Sequence, residues 1–411
     1  MSNGKDLDTK NTISEMSPES NLEKLNRELM EELDTLDEES NEQHSGSRKH
    51  RSGAKNGKKG KKNKKGKKKI RPFHVVVTLL CLLILLMVVA VATILIFRSQ
   101  GEKPLKESVV EETVTVPESA QIEDGGKSVV YNGERYWYNE NIISILCMGV
   151  DKTIQETGED SIGTNGQADA LFLAVLDTET GEFNLINISR DSMVDVNRYN
   201  VEGKYLETEK MQLCLAYSYG DGKESSCLNT AQSVSRLMYG MPIHAWAAID
   251  YSGISVLNDL VGGVTVEVLE DISSVDSQLS AGNQVTLNGQ QAHTYVRYRN
   301  TDELDSNNQR MARQKQYLTA FLQTVLSRTR EDITFPLSLY QNALEYMVTD
   351  IDSQEVVYLA SLAVQQGFSE GNMYSVPGQV VKGEEYAEFI PDEEGLYELI
   401  LSVFYNKENQ Q

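Results

Sequence analysis

Three features of the chain predict an α/β/α sandwich with a central mixed sheet, plus one N-terminal transmembrane helix. Short apolar strands alternate with helical stretches, several strands are apolar enough to be covered on both faces, and one long run near the start carries no charge. The chain has 411 residues, of which 39 are Lys or Arg and 61 are Asp or Glu, for a net charge of −22. Its hydrophobic content of 40% supports a core and excludes wholesale disorder. Charge is uneven. Residues 1–71 hold 18 basic and 13 acidic side chains, whereas the remainder holds 21 and 48. A body that acidic has no general basic surface, so no nucleic-acid partner is expected for it.

Val75 to Phe97 is the uncharged run. At about 1.5 Å per residue it reaches roughly 34 Å, enough for a hydrocarbon core of about 30 Å. It begins too deep in the chain for a cleavable leader and reads as a single retained anchor. Fourteen Lys or Arg and no acid lie between Arg48 and Arg71. Basic flanks stay in the cytoplasm, which puts the N-terminus inside and residues 98–411 outside. The same run suits anionic lipid. Residues 1–71 are thus a cytoplasmic tail. Within it Leu22, Leu25, Leu29, Leu33 and Leu36 recur at helical steps. That seam fits a partner helix over residues 20–39, self-pairing, or a solvated helix.

Residues 98–140 are rich in Glu, Val, Ser and Gly and read as an extracytoplasmic stalk, with room for a short strand. The folded domain is expected over 141–411. IISILCMGVD (142–151) and ALFLAVL (170–176) read as buried strands, and the turn DTETG leads into FNLINIS (183–189) to complete a hairpin. Asn229 is expected to cap a helix through Met238 that stops at Gly240. Ser252 to Leu260 reads as a helix, VTVEV (264–268) as a strand, and AHTYVRYR (292–299) as a strand carrying unusual charge. Residues 306–328 are helical in pattern. Further helices are expected near 336–348, 352–366 and 394–405, with a strand at MYSV (373–376).

The chemistry gathers around arginines. On a strand, Arg297 and Arg299 share one face about 6.6 Å apart. Arg310, Arg313 and Gln314 share a face of the following helix, and Arg190 ends the hairpin in NISRD. Guanidinium forks fit phosphate oxygens, and five of them suit a pyrophosphate better than one phosphate. A salt-bridged surface is the competing reading of the paired arginines. Asp151, Asp169 and Asp191 stand at strand ends, where acids beside phosphate usually hold a hard cation, most often Mg²⁺. For Asp151 alone a turn-forming role competes. Cys147 reads as a buried thiol. Cys214 and Cys227 flank AYSYGDGKESS on the outer side, and a disulfide between them is favoured over two free thiols.

IISILCMGVD, GQADALFLAVLD, FNLINISRDSMVDV, LAYSYGDG, GISVLNDLVGGVTVEV, LNGQQAHTYVRYR and QRMARQKQ occur in the order of the LytR-CpsA-Psr family, which residues 142–325 resemble. The more helical residues 330–411 would complete that domain. The resemblance implies an extracytoplasmic phosphotransferase of the cell membrane. Such an enzyme moves a glycopolymer (wall teichoic acid or capsular polysaccharide) from a polyprenyl-pyrophosphate carrier to a peptidoglycan hydroxyl. It forms a phosphodiester and releases polyprenyl phosphate, with Mg²⁺ (or Mn²⁺) assisting and an apolar pocket for the lipid tail.

By the same resemblance, Asp151 and Asp169 organise the metal and the pyrophosphate. Arg190 and Asp191 match the family's Arg-Asp pair, Arg297 and Arg299 its paired arginines, and Arg310, Arg313 and Gln314 its helical motif. Asp191 or Asp305 is the expected base. Lys152 stands where many members carry Arg, Gln167-Ala168 where many carry Arg-Ser or Arg-Thr, and Asn307 where many carry Asp. A polyprenyl-pyrophosphate hydrolase and a non-enzymatic envelope sensor or transcriptional attenuator are the alternatives.

Overall fold

The computed structural model describes residues 101–107, 109–152, 162–300, 306–366, 373–383 and 386–408. The expected tail (1–71), the expected anchor (75–97) and Asp305 lie outside them. Among the described residues no helix is long and apolar enough to cross a membrane.

A helix α1 (101–107) leads to strands β1 (Ala120–Glu123), β2 (Ser128–Tyr131) and β3 (Glu134–Tyr138). Next come β4 (Ile142–Val150), β5 (Ala168–Asp177), β6 (Phe183–Ile188) and a hairpin of β7 (Met193–Tyr199) with β8 (Tyr205–Gln212). Helices α2 (Leu215–Ser218) and α3 (Glu224–Leu237) precede β9 (Ala245–Asp250) and α4 (Tyr251–Leu260). The ribbon of β10 (Val264–Glu267) and β11 (Gln284–Leu287) is followed by α5 (Gly289–Arg297) and α6 (Ser306–Glu331). The chain continues through α7 (Phe335–Ala343), β12 (Met347–Thr349), α8 (Ser353–Gln366), β13 (Met373–Ser375), β14 (Gly378–Lys382) and β15 (Ala387–Pro391). It ends in α9 (Glu393–Phe404) and β16 (Tyr405–Lys407).

The central sheet has the order β12-β9-β4-β5-β6-β13, and each edge strand is three residues long. β5 runs antiparallel to both β4 and β6, while β9 runs parallel to β4. Alternation decides the layers. Leu146, Met148, Leu171, Leu173 and Ile186 pack against Ala231 and Val234 of α3 and Leu396 and Ile400 of α9. On the opposite face, Phe172, Ala174 and Leu185 meet Leu318 and Leu322 of α6, and Ile143 and Leu176 meet Tyr358 and Leu362 of α8. The expected three-layer arrangement with a mixed sheet is therefore present.

Several elements differ from expectation. Residues 101–140 are not a free stalk. Leu105 is buried against α8, Val110 bridges to Ile243, and β1–β3 form a sheet with β16. The alternation of Val129 and Tyr131, whose buried faces meet Tyr397 and Leu401, ties this segment to the body. Asn229 caps nothing. α3 begins at Glu224, and the buried Asn229 side chain donates to the carbonyls of Asn197 (3.0 Å) and Ala216 (2.8 Å). The helix expected near 336–348 breaks after Ala343, so that Met347–Thr349 can pair with β9.

His244 precedes β9 and is buried, its Nδ1 accepting from the Ser144 N–H at 3.1 Å. Burial pushes its pKa down to about 4, helped slightly by Lys106. The unfolded chain takes up this proton near pH 6.5, whereas the folded chain resists it. The stabilisation is complete above about pH 6.5 and falls as pH drops toward 4, by up to about 3 kcal/mol. Urea unfolding at pH 7 and pH 4.5 should show this loss, and His244→Gln should flatten it.

Candidate active site

Topology brings the charged residues together. β4, β6 and β9 run in one direction and β5 in the other. Asp151 after β4, Arg190 and Asp191 after β6, Tyr251 after β9 and Asp169 at the start of β5 therefore share one edge of the sheet. Ligands gather outside the carboxyl ends of strands for the same reason. The β4–β5 register shifts at its end: Gly149 faces Ala170, but Val150 faces Ala168. Asp169 is thus the extra residue of a bulge, a device that re-aims a side chain.

Asp169 pairs with two guanidiniums, Arg190 Nη1 and, at 3.4 Å, Arg310 Nη1. Arg190 Nε lies 3.4 Å from Asp191 Oδ1, and Arg190 Nη2 donates to Gln167 Oε1 at 2.5 Å and to Cys214 Sγ at 3.1 Å. Asp151 Oδ1 accepts from the Gln167 N–H at 2.6 Å. Arg310 is 7% exposed. Burial first, then the fields of Arg190 and Arg299, depress its pKa to about 10. Burial raises the Asp191 pKa, and Arg190, Arg310 and Arg299 oppose that rise. Arg297 covers the Tyr251 ring at 4.8 Å, and its Nη1 lies 3.2 Å from His293 Nε2.

Arg297 and Arg299 do not lie on a strand. Residues 289–297 are helical because Asn288 and Gln291 make a reciprocal capping box and Ala292, Tyr295 and Val296 are buried at helical spacing. Arg297 is the last helical residue, and Arg299 follows the extended Tyr298. Arg313, expected with the pyrophosphate ligands, is engaged elsewhere. It is 1% exposed, with Nη1 donating to Glu270 Oε2 at 2.6 Å and Nη2 to the Tyr298 carbonyl. It holds the end of α5. Gln314 donates to the Val296 carbonyl at 3.2 Å.

Asp151, Asp169, Arg297, Arg310 and Gln314 line one charged cavity of about 120 Å³. An apolar cavity of about 280 Å³ continues from it, sharing Gly149, Ala170, Ile249, Val296 and Gln314 and adding Phe172, Leu318 and Phe321. A second apolar cavity of about 310 Å³ shares Ala247 and Met347 with the first and reaches Leu326, Pro336, Tyr340 and Leu359. An anion site therefore opens into a greasy passage between the sheet and α6. Among the described residues no three His, Cys, Asp or Glu cluster as a metal cage. Two hard carboxylates at a phosphate-sized mouth suit Mg²⁺, which commonly takes one or two protein carboxylates and completes its shell with phosphate and water.

The sequence reading placed Gln167 beside the site but missed Cys214 and Tyr251 as site neighbours. Gly166 shows how Gln167 is held: its φ is +90°, and a Cβ there would sit 2.8 Å from Lys152 Cβ. That close approach brings the Gln167 N–H to Asp151.

Cys214 and Cys227 are free and fully buried rather than joined. The Cys214 sulfur turns to Arg190, and Cys227 packs in the core from α3 beside Tyr217. Burial pushes the Cys214 thiol up to about 11 and raises Cys227 as well, which suppresses the thiolate that exchange needs. Protein denatured without reductant should take up alkylating reagent at Cys147, Cys214 and Cys227, read by peptide mass. A linked 214–227 peptide pair would contradict this.

A sequence model of the LytR_cpsA_psr family matches residues 106–399. Among solved structures, TagV of B. subtilis is 22% identical over 64% of this chain and 96% of its own, with a TM-score of 0.50. Lin1025 of Listeria innocua is 25% identical over 63% of this chain and 95% of its own, with a TM-score of 0.45. TagT bound to LIIa-WTA is 17% identical over 64% of this chain and 90% of its own, with a TM-score of 0.47. The TagV likeness concerns the fold. No curated protein matches the chain. With the family pattern running from α1 into α9, the chain belongs to the LytR-CpsA-Psr family.

Proposed function

We propose that this protein is a membrane-anchored phosphotransferase that moves a glycopolymer from a polyprenyl-pyrophosphate carrier to peptidoglycan. The observation that carries this reading is Arg310, a buried guanidinium crowded by Arg190 and Arg299 at a mouth that opens into apolar space. Like charges held together out of water call for a strongly anionic guest. A headgroup with two phosphates and a long hydrocarbon tail satisfies both halves of the cavity. The anchor at Val75–Phe97 would keep the N-terminus cytoplasmic and the domain outside, where lipid-linked glycans and peptidoglycan meet.

In this mechanism Arg297, Arg299 and Arg310 hold the pyrophosphate. Arg190 keeps Asp169 and Asp191 in place. An acceptor hydroxyl oxygen attacks the glycan-linked phosphorus, the bond to the bridging oxygen breaks, and polyprenyl phosphate leaves with that electron pair. Asp191 takes the hydroxyl proton, a role suited to a buried carboxylate of raised pKa. Asp151 and Asp169 would hold Mg²⁺ (or Mn²⁺), which supplies charge neutralisation at the diphosphate. Positioning and field stabilisation account for the rate, as in other phosphoryl transfers.

The test is transfer of a labelled glycan from a polyprenyl-pyrophosphate donor to a peptidoglycan fragment. A phosphodiester product that needs acceptor supports the proposal. Release of polyprenyl phosphate at the same rate without acceptor would make the protein a hydrolase, and no turnover with intact envelope signalling would make it a sensor. Arg310→Met should cost transfer at least about a hundredfold. The variant should still fold, read by its melting temperature, because Asp169 keeps its ion pair with Arg190. The rate should climb with pH as Asp191 ionises. Arg299→Gln removes a field that lowers this pKa, so the acid limb of kcat/KM should move to higher pH.

A further inference from the structure

The Arg190 guanidinium carries five N–H groups, and the protein engages it along its whole edge. Nε forms an ion pair with Asp191 and Nη1 one with Asp169. Both Nη2 hydrogens are used, on Gln167 Oε1 at 2.5 Å and Cys214 Sγ at 3.1 Å. With Nη2 turned to Gln167 and Cys214 and the rest of the fork paired with Asp169 and Asp191, this arginine ties its neighbours together.

Gln167 makes that hold possible. Its backbone N–H donates to Asp151 Oδ1 at 2.6 Å, and its carbonyl accepts from the Asp151 N–H at 3.2 Å. Its side chain then reaches Arg190, so one residue joins the acid after β4 to the guanidinium after β6. The backbone half of this link is set by the close approach at Gly166, with φ +90°. A change of the Gln167 side chain therefore leaves Asp151 in place and alters only the hold on Arg190. The side chain is also neutral. A carboxylate here would orient the fork equally well, but it would add a negative charge facing an anionic substrate.

We propose that Gln167 is a positioning residue for the transfer reaction, acting through Arg190: its amide oxygen orients the guanidinium that aligns Asp169 and Asp191 without cancelling positive charge. This rests on the phosphotransferase reading. The test uses the full chain reconstituted in vesicles, a polyprenyl-pyrophosphate-linked disaccharide as donor and a peptidoglycan fragment as acceptor. Gln167→Leu should lower kcat roughly tenfold to a hundredfold while KM for donor changes little, the scale expected when a group beside the chemistry loses its orientation. Gln167→Glu should recover most of kcat and raise KM severalfold. In an Arg190→Ala background Gln167→Leu should cost nothing further.

Equal losses from Gln167→Leu in both backgrounds would overturn the inference, as would wild-type kcat in the Leu variant or failure of the Glu variant to recover. Melting temperatures are read alongside. If the Leu variant does not fold, Gln167→Asn shortens the reach by one methylene and should show the same fall in kcat. Absence of transfer by the unaltered protein would instead defeat the phosphotransferase reading itself. Collapse of Arg190→Ala with an unaffected Gln167→Leu would remove only the role given to Gln167.

Discussion

The structure depends on how three guanidiniums are kept together beside an apolar cavity. Arg190, Arg299 and Arg310 repel one another, and Arg310 has lost most of its water. Asp169 is shared between Arg190 and Arg310, and Asp191 answers Arg190. This balance holds the site together. Removing one partner of such a buried set leaves an uncompensated charge. Sites like this trade stability for function.

The geometry of the balance comes from the sheet. A bulge at Gly149/Val150 leaves Asp169 unpaired in the ladder, so its side chain serves the site instead of the pleat. The turn at Ser189–Ser192 carries Arg190 and Asp191 at the end of β6, and the Ser192 N–H donates to the Ser189 carbonyl at 3.1 Å. From the opposite side, α5 and α6 bring Arg297 and Arg310. Arg313 secures that side by gripping Glu270 and the Tyr298 carbonyl. Arg313 thus sets where the segment carrying Arg299 leaves α5.

Much of this was legible in the chain, and the failures have physical reasons. β4, β5 and β6 were readable because each is a dense apolar run and DTETG marks the turn between the last two. β9 was not, because AWAAID is short and Ala-rich and earns its place only by pairing with β4, about a hundred residues earlier. β8, YLETEKMQ, is exposed along most of its length and lacks alternation. Residues 292–299 looked like a strand because Thr, Tyr and Val favour one, yet the capping box four residues upstream won. The charge cluster was visible as a list of residues. Which arginine turns inward was not, since Arg310 and Arg313 differ by less than a turn and face different partners. The disulfide expectation failed because an oxidising compartment permits a bond without bringing two sulfurs together.

The sheet's borders carry a separate consequence. β12 and β13 are each three residues long, and they cover the middle of β9 and of β6. Hardly any run of unpaired backbone is left along either margin to template a foreign strand. Neighbouring copies crowded on a surface would find few amide groups to zip onto there, so the central sheet resists edge-to-edge fusion without charged side chains on its borders.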